Sequence, residues 1–213
     1  MLIALANSKG GVGKSTIAVH LAALAHEQGL RVAFIDADAQ QSGSRWLRDL
    51  QAPFPVHRLT TPEEVIEQAD EIDRNHQLTI ADGPAGLSEV TRAVLMVCDL
   101  ALLPCGPSAL DLHALQDALR TLRQAQKIRQ GPPRAVVVPN KLQAGYRLSR
   151  ELVEAAPNLG VPCVEGLRLR QAYAEAAGQG SVVWRLGRSA EEAAKEIRNL
   201  FSEIQPNETQ NAR

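Results

Sequence analysis

Short apolar runs alternate with stretches of helical periodicity along this chain. The runs predict buried strands at Leu2–Ala6, Arg31–Ile35, Val56–Leu59, Leu78–Ala81, Leu100–Pro104, Ala135–Val138 and Pro162–Val164. Helices are expected over 14–28, Ser42–Leu50, from Thr61 onward, Ser88–Val97, Ser108–Arg129 and Tyr146–Ala156, and again after Ser189. Strands that are apolar throughout and alternate with helices predict an α/β fold, a doubly wound, mostly parallel β-sheet flanked by helices.

Two helix starts carry a capping-box signature. Thr61 precedes Pro62 and stands three residues before Glu64, and Ser189 has the same spacing from Glu192. We expect one domain over 1–204, with 205–213 as a polar, flexible tail.

Composition excludes several classes of protein. Of 213 residues, 45% are hydrophobic and 22% are charged, which is typical of a globular chain rather than a disordered one. No apolar run approaches the ~20 residues of a membrane span. The net charge is −1, but residues 1–107 sum to −5 and residues 108–213 to +4, so the second half can present a basic face.

A glycine-rich segment between the first strand and the first helix predicts a phosphate-binding loop. Glycines let backbone N–H groups turn inward, and the helix N-terminus adds its positive dipole end. The predicted phosphate contacts are Gly10, Gly11, Val12, Gly13, Lys14, Ser15 and Thr16. In this pattern the lysine reaches the terminal phosphates and the hydroxyl of Ser15 ligates Mg²⁺.

Polar side chains follow three of the other predicted strands. Asp36 and Asp38 come after the second, Asp82 ends the fourth, and Asn140 follows the sixth. Ligands of open α/β sheets bind at the carboxyl ends of the strands. These carboxylates are therefore candidates for Mg²⁺ and for the attacking water, and the amide of Asn140 is a candidate for the edge of adenine.

The string KGGVGKST, with Ser8 where the general motif has glycine, resembles the deviant Walker A motif of the ParA/MinD superfamily of P-loop ATPases. The resemblance implies ATP and Mg²⁺ as cofactors, and catalytic roles for Lys9, Lys14 and Asp38. Lys9 would reach the other subunit's nucleotide across a dimer interface. Asp38 would position the water, while Asp36 and Asp82 join Ser15 at the metal. Ala39 stands where the family has proline.

The resemblance is strongest to small, ParF-like ParA proteins, and carboxysome-positioning McdA-like proteins are also close. We expect no DNA-binding domain before the loop, and the segment QPNETQNAR has no apolar face of the MinD type. We therefore expect no membrane partner. The expected protein is cytoplasmic and nucleoid-associated, forms an ATP-dependent homodimer, and binds DNA non-specifically. A ParB/ParG- or McdB-like partner would stimulate hydrolysis and move a plasmid, a chromosome or a protein body.

Basic residues of the second half are the candidates for DNA contact. Lysine and arginine bind backbone phosphates without a sequence code. The candidates are Arg120, Arg123, Lys127, Arg147, Arg150, Arg185, Arg188, Lys195 and Arg198. An alternative function is a metabolic P-loop ligase of the dethiobiotin synthetase or cobyrinic acid synthase type, which would need a pocket for a small carboxylate substrate.

Overall fold

The computed structural model describes residues 1–86, 88–155 and 159–205. Its strands are β1 (Leu2–Asn7), β2 (Val32–Asp36), β3 (Val56–Arg58), β4 (Leu78–Ala85), β5 (Leu100–Cys105) and β6 (Arg134–Pro139). Its α-helices are α1 (Lys14–Glu27), α2 (Ser42–Asp49), α3 (Pro62–Arg74), α4 (Glu89–Val97), α5 (Ala109–Arg129), α6 (Arg147–Ala155), α7 (Gln171–Gly178) and α8 (Glu191–Ile204). All but the first residue of the predicted tail lies outside the described residues.

The strands form one sheet in the order β3-β2-β4-β1-β5-β6, and every neighbouring pair is parallel. β1 therefore lies inside the sheet, between β4 and β5. The carboxyl ends of these strands meet at one edge, where the loop after β1 also begins. The predicted doubly wound α/β class is confirmed.

Apolar side chains fill a core on each face of the sheet. One core packs α1, α2, α7 and α8 against the sheet, around residues such as Ile17, Leu47 and Ile197. The other packs α3, α4, α5 and α6, around residues such as Val65, Leu115 and Leu152. Because both faces are covered, the strands can be apolar along their whole length.

Local signals predicted some element boundaries well and missed others. Thr61 caps α3 as expected, accepting from the Glu64 N–H at 3.2 Å while the Glu64 carboxylate accepts from the Thr61 N–H. The predicted capping box of Ser189 and Glu192 is wrong. A 3₁₀ turn occupies Arg188–Ala190, Ala190 is the N-cap of α8, and no side chain caps this helix.

Two further expectations are corrected. Pro162–Val164 does not form a strand and makes only an isolated bridge, between Val137 and Cys163. Both backbone hydrogen bonds of this bridge go to Val137, and Pro162 has no N–H with which to continue the ladder. Helix α7 was not predicted, since its alanine-rich sequence carries little apolar periodicity. Within the described residues, no helix combines the length and apolar character needed to cross a membrane.

Candidate nucleotide-binding site

The glycine-rich loop lies between β1 and α1 and is anchored by the last residue of the strand. Asn7 is fully buried, and its side-chain NH₂ donates to the Pro104 carbonyl of β5 at 2.6 Å. Its side-chain oxygen accepts from the backbone N–H of Lys9 at 2.9 Å. This single amide ties the start of the loop to the neighbouring strand. Sequence reasoning did not identify Asn7, because its role depends on a contact 97 residues away.

The backbone of the loop needs glycine at two positions. Gly11 and Gly13 have φ angles of 71° and 102°, in the left-handed region that side chains disfavour. Gly13 is also the N-cap of α1, and no side chain caps that helix. The first N–H groups of α1 are thus available to an anion, and the helix dipole favours one there.

Lys14, the first residue of α1, is 6% exposed. Its ammonium donates to the Lys9 carbonyl at 3.0 Å and to the Asn7 carbonyl at 3.4 Å, so it lies folded along the loop. Burial lowers the pKa of Lys14, while the carboxylates of Asp82 and Asp38 act in the opposite direction. A bound phosphate would stabilise the charged form of Lys14 more strongly than the two backbone carbonyls do.

Two of the predicted carboxylates are brought together by strand register. Asp36 of β2 pairs directly with Asp82 of β4, and both are completely buried. Asp36 accepts from the backbone N–H groups of Ser44 at 2.7 Å and Asp38 at 3.1 Å, so it shapes the loop that follows β2.

Asp82 is the unusual group of the site. Neither of its oxygens has a partner with hydrogen-bond geometry among the described residues. Burial raises the pKa of Asp82 to about 7, and the negative charges of Asp36 and Asp38 add to this. The Ser15 hydroxyl and the Lys14 ammonium act the other way. A buried carboxylate without a partner is costly, and an Mg²⁺ ion with its waters would satisfy it.

Asp38 differs from the other two carboxylates because it is partly exposed and lines a cavity over the loop. One of its oxygens accepts from the Gln40 N–H at 2.9 Å. The cavity has a volume of about 620 Å³. It is lined by Gly10, Gly11, Gly13, Lys14, Ser15, Thr16, Asp38, Gln40, Ser42, Arg45, Trp46, Asp49, Ala85, Lys141 and Ala177.

The residues that follow β6, the strand at one edge of the sheet, contact the loop. The Asn140 side-chain NH₂ donates to the Val12 carbonyl at 2.7 Å, and the Lys141 ammonium donates to the Gly11 carbonyl at 2.7 Å. Both hydrogen bonds therefore hold the backbone of the loop at Gly11 and Val12. Lys141 was not predicted, although its position directly after Asn140 was a signal that could have been used.

A second cavity of about 280 Å³ adjoins the first and shares Gly13, Thr16, Lys141 and Ala177 with it. Asn140 lines this second cavity together with the segment Arg168–Arg170 and helix α7. This second cavity lies next to the start of α1. Helix α7 contributes Tyr173, Ala174 and Ala177 to this wall, and sequence reasoning missed it.

Lys9 does not point into the cavity. Its ammonium pairs with Asp111, in the first turn of α5, at 2.8 Å. Of the predicted residues, the first cavity is therefore lined by Gly10, Gly11, Gly13, Lys14, Ser15, Thr16 and Asp38, and the second by Gly13, Thr16 and Asn140. Asp36, Asp82 and Val12 are buried and line neither cavity, and Lys9 is held by a neighbouring helix.

The nine predicted DNA contacts are all exposed, but they divide between the two helical layers. One group lies on α5 and α6, and the other lies on or just before α8, across the sheet. Four of the nine already have protein partners. Arg120 pairs with Asp117, Arg123 donates to the Leu159 carbonyl, Arg147 pairs with Glu151, and Arg185 pairs with Glu27.

Comparison with known proteins agrees with this geometry. A family model described as the CobQ/CobB/MinD/ParA nucleotide binding domain matches residues 3–183. Maintenance of carboxysome distribution protein A of Halothiobacillus neapolitanus is 32% identical, over 96% of both chains. The protein of that name from Gloeobacter kilaueensis is 33% identical, over 95% of this chain and 93% of its own.

Among solved structures, the Cyanothece McdA(D38A)-ATP complex has a TM-score of 0.78 and 16% sequence identity, and the match covers 97% of both chains. That identity is low, so the match concerns the fold. The family match spans the loop, both buried carboxylates and the end of β6. The chain therefore belongs to the CobQ/CobB/MinD/ParA nucleotide-binding family and is a ParA/MinD-type ATPase.

Proposed function

We propose that this protein is a Mg²⁺-dependent, ParA-type cargo-positioning ATPase. Its ATP-bound homodimer binds DNA non-specifically, and a partner protein stimulates hydrolysis and releases the dimer. Two features of the site together carry the proposal. Helix α1 begins at the glycine-rich loop without a side-chain cap, and Asp82 is a buried carboxylate that lacks a hydrogen-bond partner among the described residues. This is the arrangement that a metal–triphosphate complex would complete.

Each part of the site has a role in this proposal. The backbone N–H groups from Gly10 to Thr16 bind the phosphates, and Lys14 turns from the loop carbonyls to the β- and γ-phosphates. Ser15, Asp36 and Asp82 would hold Mg²⁺, which when bound neutralises charge on the phosphate oxygens. Asp38, at the open edge of the cavity, orients the attacking water. Asn140 faces the base from the second cavity.

Lys9 supplies the link between ATP and assembly. A cation that reaches the nucleotide of the other protomer makes the triphosphate, rather than the diphosphate, stabilise the dimer. Each protomer brings its exposed basic side chains to the dimer. Two weak DNA surfaces held together bind more tightly than either alone, so dimerisation switches DNA binding without reshaping any contact.

The cargo is proposed from the relatives. Two proteins named for carboxysome distribution align over nearly their whole length with this chain. We therefore propose a protein body such as a carboxysome as the first cargo to test, with a plasmid or chromosome as the other cargo classes. The activating partner would be McdB-like in the first case and ParB- or ParG-like in the others.

Fluorescence anisotropy with a random DNA duplex tests whether the protein binds DNA in an ATP-dependent way. The purified protein is titrated with ADP, with ATP, and with ATP in the Lys9→Ala variant. We expect binding only with ATP, a steep loss of affinity with salt, and loss of binding in Lys9→Ala. Equal, negligible binding in all three, in a protein shown to bind ATP, would rule out the DNA-anchored mechanism. Screening of small carboxylate substrates for a ligase activity would then follow.

A further inference from the structure

The side chain of Lys9 is already engaged within its own protomer. Its ammonium lies 2.8 Å from a carboxylate oxygen of Asp111. The Lys9 side chain is 38% exposed and that of Asp111 is 11% exposed, so the acidic half of the pair is largely shielded from water. Such a pair is screened less than one on the open surface.

Asp111 is held in place independently of Lys9. The Ser108 hydroxyl donates to the second carboxylate oxygen, and the Asp111 N–H donates back to the Ser108 oxygen at 3.1 Å. Gly106 also lies close to that carboxylate oxygen, since a Cβ at Gly106 would stand 2.8 Å from Oδ2 of Asp111. The Asp111 carboxylate is thus fixed in the first turn of α5, so the ion pair breaks by movement of the Lys9 side chain.

The backbone of Lys9 is equally constrained. Its N–H donates to the Asn7 side chain at 2.9 Å, and its carbonyl accepts from the Lys14 ammonium at 3.0 Å. Lys14 is the group that turns toward phosphate when a nucleotide binds, and it contacts the residue whose side chain must cross the interface. A phosphate that binds in the loop therefore acts directly beside Lys9, because it draws Lys14 away from the Lys9 carbonyl.

We propose that Asp111 is a positioning residue that holds Lys9 in cis and sets the threshold for ATP-driven dimerisation. The proposal rests on the proposed role of Lys9 at the partner's nucleotide. For that role the ion pair with Asp111 has to be exchanged for contact with the partner's triphosphate. A triphosphate offers more negative charge to the lysine than a diphosphate does, so the exchange favours ATP over ADP.

If Lys9 must exchange Asp111 for the partner's triphosphate, removing the charge of Asp111 should strengthen dimerisation. Asp111→Asn retains an oxygen for the Ser108 hydroxyl and removes the charge that holds Lys9. With a non-hydrolysable ATP analogue, we expect the dimer dissociation constant of Asp111→Asn to fall by about fivefold, because a dimer breaks two such pairs. With ADP the variant stays monomeric. Sedimentation velocity over a protein concentration series measures both.

Matched variants separate this role from a structural one. Asp117→Asn removes the other aspartate of α5, which pairs with the exposed Arg120, and should leave the dissociation constant unchanged. In a Lys9→Ala background, Asp111→Asn should have no effect on dimerisation. Asp111→Ser is the second variant should the asparagine form not fold, with the same expected direction. Damage to the fold would weaken assembly, not strengthen it.

Two failures are distinguishable. Folded Asp111→Asn and Asp111→Ser proteins that dimerise no better than the wild type would overturn the proposal, provided that Lys9→Ala still abolishes dimerisation. If Lys9→Ala dimerises as well as the wild type, the role of Lys9 at the partner's nucleotide fails, and the holding role of Asp111 fails with it.

Discussion

Two glycines of the phosphate loop have the same kind of backbone but different surroundings. Both Gly11 and Gly13 have positive φ angles. A Cβ at Gly11 would meet no atom within 4 Å, whereas a Cβ at Gly13 would lie 2.2 Å from the Asn140 side-chain nitrogen. The first position therefore needs glycine for its backbone alone. The second needs it also because the amide that braces the loop lies against it.

This difference predicts unequal effects of alanine. Gly11→Ala should cost about 1 kcal/mol of unfolding free energy, for its backbone strain alone. Gly13→Ala should cost about 1–3 kcal/mol more, because Asn140 must move, and should weaken ATP binding by about tenfold or more. Urea unfolding and calorimetric titration measure the two quantities. Adding Asn140→Ala to Gly13→Ala should recover part of the stability; equal losses in the two glycine variants would contradict the account.

Helix α1 connects the loop to the C-terminal part of the chain through one buried histidine. His20 donates from Nδ1 to the Thr16 carbonyl at 2.7 Å and accepts at Nε2 from the Val183 N–H at 3.2 Å. The rings of Trp46, Tyr173 and Trp184 stand edge-on to it. Helix α7 and the turn after it are thereby fastened to the helix that begins in the loop.

This arrangement requires neutral His20, so stability depends on pH. Burial lowers the pKa of His20 from 6.5 to about 4, and the hydrogen bond to the Thr16 carbonyl only partly opposes this. As pH falls below 6.5 the unfolded chain takes up a proton that the folded chain refuses. Stability is therefore lost between about pH 6.5 and 4, by about 3 kcal/mol in total from this group.

Urea unfolding at several pH values in this window checks the expectation. His20→Gln, which keeps a donor and an acceptor, should be less stable at pH 7.5 but should lose less stability on acidification than the wild type. His113→Gln, at an exposed position of α5, is the control and should retain the wild-type slope. A His20→Gln slope equal to that of the wild type would show that other groups set the pH dependence.

For the whole molecule, the sheet divides the basic side chains between two surfaces. On the layer of α5 and α6, Arg120 and Arg147 are engaged by acidic neighbours. On α8, Lys195 and Arg198 are exposed and make no ion pair within the described part of the chain. Binding DNA through Lys195 and Arg198 therefore breaks no ion pair of the described residues, whereas binding through Arg120 and Arg147 does.

We accordingly expect Lys195 and Arg198 of α8 to contribute more to the DNA affinity than Arg120 and Arg147. Changing Lys195 and Arg198 to alanine should weaken ATP-dependent binding at all DNA sequences alike. It should also reduce the slope of log affinity against log salt by about 0.9 for each DNA phosphate that is no longer neutralised. Changing Arg120 and Arg147 to alanine is the matched pair and should have the smaller effect. Anisotropy titrations across a salt series report both, and the reverse ranking would assign the DNA surface to α5 and α6.

The sequence by itself determined the features that depend on neighbours along the chain. The glycine turn before α1, the cap at Thr61 and the alternation of strand and helix each follow from local spacing, and the structure confirms them. Local signals failed at Ser189, where a 3₁₀ turn displaced the expected cap, and at α7, whose small side chains leave little periodicity.

Only the tertiary structure decided how distant residues meet. Register between β2 and β4 sets Asp36 beside Asp82, the end of β6 brings Asn140 onto the loop, and α5 captures Lys9 through Asp111. The physical reason is that a backbone conformation is chosen by a few adjacent side chains. An ion pair or an unsatisfied carboxylate instead depends on which strands lie side by side and on how much water their packing excludes.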